Sequence, residues 1–263
     1  MGSFTAVSTG MLVGGDISVR AKEHLTKADI VFSLVPNGVA DYWLSQLNSN
    51  VVSLQSLYAK HKHRMDSYEE MVELMMAQVR KGKRVCGAFY GHAGVFAWPP
   101  HETIRTAKKE GYHAEMLPGV SADAALYSDL GIDPCDSGIQ AFEASQFLFY
   151  QHQINPISHV ILWQIGLIGE HTGRSFDRPE LGAQLLVEHL TQWYPLDHEV
   201  VLYECAMMAI ESPRIETIKL KDIVDAELSL ITTLLIKPFG DMKPNLSILK
   251  QLGIEEEDIA KRD

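Results

Sequence analysis

Four short stretches of the chain carry residue types that could approach or polarise a ligand. The first is Ser8-Thr9-Gly10, with Gly14 soon after it. The second, Tyr90-Gly91-His92-Ala93-Gly94-Val95-Phe96, sets the polar tips of Tyr90 and His92 among two glycines. Without a Cβ, a glycine lets backbone come close to a bound molecule. The third, Pro118-Gly119-Val120-Ser121-Ala122, turns into a helix start. Free amides at such a start suit a carboxylate or a carbonyl-rich ligand. The fourth group is spread over the later chain as Trp163-Gln164, Tyr203-Glu204 and Thr232-Thr233. There is no GxGxxG, Walker A or GxSxG motif, so the common dinucleotide, nucleoside triphosphate and hydrolase readings fall away.

Each stretch follows or opens an apolar run that reads as a strand. Phe4 to Val7 is the first, followed by a helix from Ser18, a good N-cap, to Ala28. A second buried strand, Asp29 to Leu34, stops at Pro36-Asn37-Gly38. Leu54 to His63 is irregular, and Ser67 then caps a helix with Met71, Leu74, Met75 and Val79 on its apolar side. Arg84 to Phe89 is a strand, His101 to Glu110 a helix and His113 to Leu117 a short strand. This alternation implies a largely parallel sheet, whose carboxyl edge is the default ligand crevice. After Asp133-Pro134 the texture changes. Strands are expected at Val160–Trp163, Val200–Tyr203, Arg214–Ile218 and Thr232–Ile236, with a helix over Glu180–Tyr194. The reading is a two-domain α/β protein with a boundary near residues 125–135. It gives an N-terminal domain of 1–128, a C-terminal domain of 129–240 with a mixed sheet, and a tail of 241–263.

Composition narrows the partners. With 263 residues and 46% hydrophobic content the chain can bury a sizeable core. A formal charge of −11 disfavours nucleic acid, since the field opposes a polyphosphate. No apolar run approaches the roughly 20 residues that span a bilayer, and Met1-Gly2-Ser3-Phe4 is no signal peptide. Three scattered cysteines read as reduced thiols of a cytoplasmic protein.

Taken in order, the glycine loop, the YGHxGVF run, PGxSA and the late strand with paired hydroxyls resemble the tetrapyrrole methylase superfamily, from residue 5 to about residue 238. The resemblance implies a two-domain enzyme, usually a homodimer, with S-adenosylmethionine folded in the cleft between domains. The cofactor-lining residues it implies are Ser8, Thr9, Gly10, Tyr90, His92, Val95, Phe96, Ser121, Ala122, Gln164, Tyr203, Ala206, Thr232 and Thr233. Within the superfamily, Leu57-Tyr58, Arg64 to Tyr68 and Tyr90-Gly91-His92 look like the catalytic segments of the borosin methyltransferases, which N-methylate backbone amides of a ribosomal precursor peptide. Glu143 to Phe147, Trp163-Gln164 and Gln192 to His198 look like the bacterial branch. Fungal members carry the peptide as a C-terminal extension. This sequence stops soon after its last strand, so the resemblance implies a split member acting on a peptide supplied in trans. The implied catalytic residues are Tyr58, Arg64, Tyr68 and Tyr90.

Those residue types suit the chemistry. An amide nitrogen is a poor nucleophile because its lone pair is delocalised. Methylation requires loss of the N–H proton, or an imidate-like form with charge on the carbonyl oxygen. Arg64 would lower a neighbouring tyrosine's pKa so that it serves as base, and a second phenol or the guanidinium would hold the oxyanion. Arg64 and Tyr68, four apart, share a face if both lie on the first helical turn. Plainer readings stand beside these. Tyr58 and Tyr68 could pack as ordinary rings, Arg64 could be a solvated charge, and His92 could satisfy a loop backbone group. Trp163, Tyr203 and Thr233 could all be interior residues. His61 and His63 lack companion ligands, so no metal is expected. Two other functions remain open. One is the same fold acting on a precorrin carbon, a protein histidine derivative or a ribosomal RNA ribose. The other is a catalytically silent peptide-recognition module.

Overall fold

The computed structural model describes residues 1–60 and 62–259; His61, weighed above as a metal ligand, and residues 260–263 lie outside that range. In the first half, β1 (Ser3–Ser8), β2 (Ile30–Leu34), β3 (Val51–Ser53), β4 (Arg84–Phe89) and β5 (His113–Met116) form one sheet in the order β3-β2-β4-β1-β5. All its neighbouring pairs are parallel. Parallel strands covered on both faces must be apolar throughout, and Ala6, Val7, Val31, Phe32, Val85 and Ala88 are buried.

The helices of this half are α1 (Val19–Lys27), α2 (Gly38–Leu47), α3 (Arg64–Arg80), α4 (Trp98–Lys109) and α5 (Ala122–Leu130). Ser18 caps α1, its hydroxyl accepting from Ala21 N–H at 3.1 Å. The sequence reading took Pro36-Asn37-Gly38 only as a stop. Asn37 there is the cap of α2, accepting from Ala40 N–H at 3.0 Å. Helix α3 begins at Arg64, not after Ser67. His63 is its cap and accepts Met65 N–H through Nδ1 at 3.1 Å. Its buried face is Met71, Val72, Met75, Met76 and Val79, while Leu74, expected inside, is exposed. Helix α4 starts three residues before His101, because Pro99 and Pro100 fit a first turn whose amides need no partner. Phe4, Phe32, Met71, Met75 and Phe89 form a core on one side of the sheet. Val7, Leu25, Val31, Leu44 and Leu117 form the other.

The second half contains α6 (Pro134–Ser137), β6 (Ile139–Glu143), α7 (Ala144–Phe149), β7 (His159–Trp163), α8 (Gly182–Leu190), β8 (Glu199–Glu204), β9 (Arg214–Lys219), β10 (Thr233–Ile236) and α9 (Leu246–Leu252). The sheet order is β6-β7-β10-β8-β9. Strands β6 and β7 are parallel, and β10 runs antiparallel to both β7 and β8, so the sheet is mixed, as expected. Helix α8 is shorter than Glu180–Tyr194 because turns replace it after Leu190.

Contacts divide the chain into two units. The first is Met1–Leu130 together with two later excursions, His171–Ser175 and Cys205–Arg214. The second comprises Gly131–Glu170, Phe176–Glu204 and the chain from Ile215 onward. Among the described residues, no helix is long and apolar enough to cross a membrane.

Candidate active site

Because β4, β1 and β5 are adjacent and parallel, their carboxyl ends bring three of the four stretches together. Thr9 N–H donates to Phe89 C=O at 2.9 Å, and Gly10 and Gly91 exchange N–H···O=C bonds of 3.1 and 2.8 Å. The Ser8 hydroxyl, 1% exposed, donates to Leu117 C=O at 2.8 Å and accepts from Ala93 N–H at 2.9 Å. The Thr9 hydroxyl donates to Phe89 C=O at 3.2 Å. These two hydroxyls are therefore pegs between loops. Gly119 comes so near that a Cβ there would lie 2.3 Å from Ser8 Cβ. Beyond Gly10 the loop folds onto Asp16, whose carboxylate accepts from Met11 and Leu12 N–H at 3.1 and 2.8 Å. A small pocket is lined by Thr9, Gly10, Met11, Val35, Pro36 and Tyr90. Val13 N–H donates to Met207 C=O at 2.9 Å, which brings the Ala206 stretch against this loop.

The His92 side chain closes a turn, its Nδ1 accepting from Gly94 N–H at 2.9 Å. The loop-satisfying reading therefore holds for the ring, and His92 C=O accepts from Val95 N–H at 3.0 Å. Val95 and Phe96 are exposed. Phe96 has φ +52° and Gln164 φ +60°, left-handed values rare outside glycine. Such backbone costs on the order of 1–3 kcal/mol and collects at functional sites. At the start of α5, the Ser121 hydroxyl bonds the Asp123 carboxylate, and Ala122 opens the helix.

The phenols are placed by a strap. A 3-10 turn, Gln55–Leu57, leads to Tyr58. Leu57 C=O accepts from both the Ser67 hydroxyl and Lys62 Nζ, each at 3.0 Å. Lys62 also pairs with Glu70 at 2.6 Å. This ties the Tyr58 segment to the first turns of α3. The Tyr58 ring meets Tyr68 edge-on at 6.2 Å, and Tyr68 stacks on Trp98 at 6.3 Å. Burial pushes the Tyr58 phenol above the usual tyrosine range, followed by the Tyr68 charge, a hydrogen bond with Tyr68 and the Tyr90 charge; Arg64 opposes them with the smallest effect. The expected net lowering by Arg64 is therefore reversed. The Tyr90 phenol is also pushed up, by burial and then by Tyr68. Tyr58 and Tyr68 are thus in ring contact, and Tyr90 and Arg64 act on Tyr58 through their charge.

In the second unit, the remaining stretches meet at one edge of the mixed sheet. Thr233 pairs with Tyr203 and Leu234 with Leu162, so the carboxyl ends of β7 and β8 lie beside the amino end of β10. Tyr203, Thr232 and Thr233 are buried. The Thr232 hydroxyl donates to the Glu204 carboxylate at 2.5 Å, and Ser229 does so at 2.9 Å. Ile165 N–H donates to Thr232 C=O at 3.1 Å, which fixes the left-handed Gln164 just before it.

Over residues 3–222 the chain matches the family of Tetrapyrrole (Corrin/Porphyrin) Methylases. The chain belongs to that family. Among curated proteins it resembles a methyltransferase/ribosomally synthesized cyclic peptide precursor of gymnopeptides from Gymnopus fusipes. The two are 38% identical over 259 residues, 96% of this chain and 61% of that one. A methyltransferase/ribosomally synthesized type I borosin cyclic peptide precursor from Coprinopsis marcescibilis is 36% identical over 265 residues, 97% of this chain and 68% of that one. This chain spans about three fifths of the length of several such relatives. Among solved structures, a cobalt precorrin-4 methyltransferase aligns with TM-score 0.65 at 17% identity, covering 89% of this chain and 94% of that one. That likeness concerns the fold: two α/β sheets, as the resemblance implied.

Sequence reasoning missed three contributors to these tetrapyrrole-methylase loops. Trp98 lies just past the YGHxGVF run, and only its aromatic type signalled it. Glu204 was noted beside Tyr203 but not as the acceptor that organises Ser229 and Thr232. Asp16 follows the glycine loop as an ordinary acid would.

Proposed function

We propose that the protein is an S-adenosylmethionine-dependent methyltransferase that N-methylates backbone amides of a ribosomally made peptide supplied as a separate chain. The observation that carries this reading is the Tyr58–Tyr68–Tyr90 cluster beside Arg64, in a chain whose relatives are named methyltransferase/peptide precursors. The family resemblance adds the expectation of a cytoplasmic homodimer.

The residues fit the cofactor. Glycines at 10, 91 and 119 sit where loops close on one another, and the phenols offer rings and oxygens to a cation. The Ser8–Gly10, Tyr90–Phe96 and Ser121–Ala122 stretches and Ala206 would hold it. When bound, its sulfonium supplies an electrophilic methyl that needs no metal. Tyr58, kept protonated by its surroundings, donates toward the amide oxygen as charge gathers there, and the Arg64 guanidinium adds positive field. The departing N–H proton is assigned to the Tyr68 oxygen, which releases its own phenol proton to solvent.

Single-turnover transfer from methyl-labelled cofactor tests the assignment. The substrates are peptides encoded by short reading frames beside the gene, offered both separately and fused after Asp263. Wild type should label the separate peptide, and Tyr68→Phe should be slower by about 10²–10⁴-fold while still binding both ligands. Labelling of the fused peptide alone would overturn supply in trans. Labelling of neither, with cofactor bound, would overturn the peptide reading.

A further inference from the structure

We infer that Trp98 is a positioning residue for the reaction, acting through Tyr68. The inference rests on the proposed role of Tyr68. Tyr68 lies between two aromatic partners. Tyr58 presents an edge at an interplanar angle of 84°, and Trp98 lies nearly parallel at 19°. A tyrosine on a helix keeps torsional freedom about two bonds, and its hydroxyl sits at the far end of that lever. An edge contact alone lets the ring tilt. A parallel face on the other side removes that tilt, as offset stacking favours a defined plane.

Trp98 is built to supply the face and little else. It is 36% exposed and lies outside the core against which Tyr58 and Tyr68 pack. Its backbone, by contrast, is fixed. It opens α4, whose next residues Pro99, Pro100 and Thr103 are buried, and the Thr103 hydroxyl donates to Pro99 C=O at 2.8 Å. An anchored backbone carrying a half-open indole against a single catalytic candidate is the arrangement of a backstop. The left-handed Phe96 two residues earlier turns the loop into this helix. The three rings, Tyr58, Tyr68 and Trp98, come from separate elements, and the edge contact on one side with the parallel face on the other sets the plane of the Tyr68 ring.

Misplacing a reacting group by a fraction of its reach costs up to about 10²-fold in rate. Trp98→Leu, which keeps apolar bulk but has no ring face, should lower kcat by about tenfold or more, with the KM for cofactor and peptide within about threefold. Trp98→Phe should recover most of the rate. In a Tyr68→Phe background, Trp98→Leu should change nothing further, because the residue acts only through that phenol. Thermal melting of each variant separates misplacement from unfolding, and Trp98→Phe serves as the readout should Trp98→Leu not fold. The inference fails if Trp98→Leu turns over at the wild-type rate, if Trp98→Phe is as damaged as Trp98→Leu, or if the loss persists undiminished on top of Tyr68→Phe. Full activity of Tyr68→Phe would instead remove the reading on which it rests.

Discussion

The loops at one edge of each sheet are held together by different means in the two units. In the first unit every strand is parallel, so the loops after β1, β4 and β5 necessarily share one edge. They are locked there by backbone bonds such as Gly10–Gly91 and by hydroxyl pegs from Ser8 and Thr9. In the second unit β10 is antiparallel, so the residues before it, Thr232 and Ser229, meet the residues after β7 and β8. There the lock is a knot of side chains, with two hydroxyls on the Glu204 carboxylate. A parallel sheet gathers its loops by topology, whereas a mixed sheet needs a specific polar centre to do so.

The largest test of that contrast is Gly166→Ala. A Cβ at Gly166 would lie 1.9 Å from Ser229 C=O, inside the knot. Overpacking against fixed backbone should cost about 3 kcal/mol or more, read as a fall in the denaturant midpoint. Ser8→Ala breaks the first unit's lock more gently. It leaves Ala93 N–H and Leu117 C=O without the hydroxyl, and about 1–3 kcal/mol of stability should go. Equal losses for the two variants would blur the contrast.

The units should also differ in their response to pH. In the first, burial pushes up the Cys86 thiol from 9.0 to about 12, and the Tyr58 and Tyr90 phenols from 10.0. A raised folded pKa means that the unfolded chain loses its proton first, so this stability is complete below pH 9 and drains as pH rises toward 12. In the second, burial lowers His159 from 6.5, so the unfolded chain gains its proton first and stability falls as pH drops below that value. Burial also raises the Tyr194 phenol of the second from 10.0 to about 12, so hydrogen exchange should show both units loosening in alkali and the second also in mild acid. Smallest of all, Tyr194→Phe should be neutral or stabilising by about 1 kcal/mol. The Tyr194 hydroxyl is buried without a partner among the described residues, and its removal ends that desolvation cost.

What the sequence made legible follows the same division. Strands β1, β2 and β4 carry long buried runs, and the bounds of the parallel strands were readable to within a residue or two, apart from short β3. Strand β6 was missed because its half-buried residues, Ile139 to Glu143, carry no such run. Helix α2 was missed because a cap, Asn37, stands between Pro36 and Gly38 and looks like a turn. The start of α3 was misjudged because Ser67, an ideal cap by type, spends its hydroxyl on Leu57, while His63 caps instead. The candidate residues came largely from resemblance, and the fold sets Tyr58 against Tyr68. The direction of the Tyr58 shift was not readable, because burial and neighbouring phenols are products of the fold. Neither Trp98 nor Glu204 has a motif to announce it; each matters through what the fold sets beside it.

The central claim is that methyl groups go to backbone nitrogen. Fragmentation mass spectrometry of a peptide co-expressed with the protein tests it most directly. The account predicts increments of one methyl for one hydrogen, retained on backbone fragments whatever the side chain. Increments confined to side chains, or cofactor bound by an enzyme that leaves every offered peptide unmodified, would contradict it.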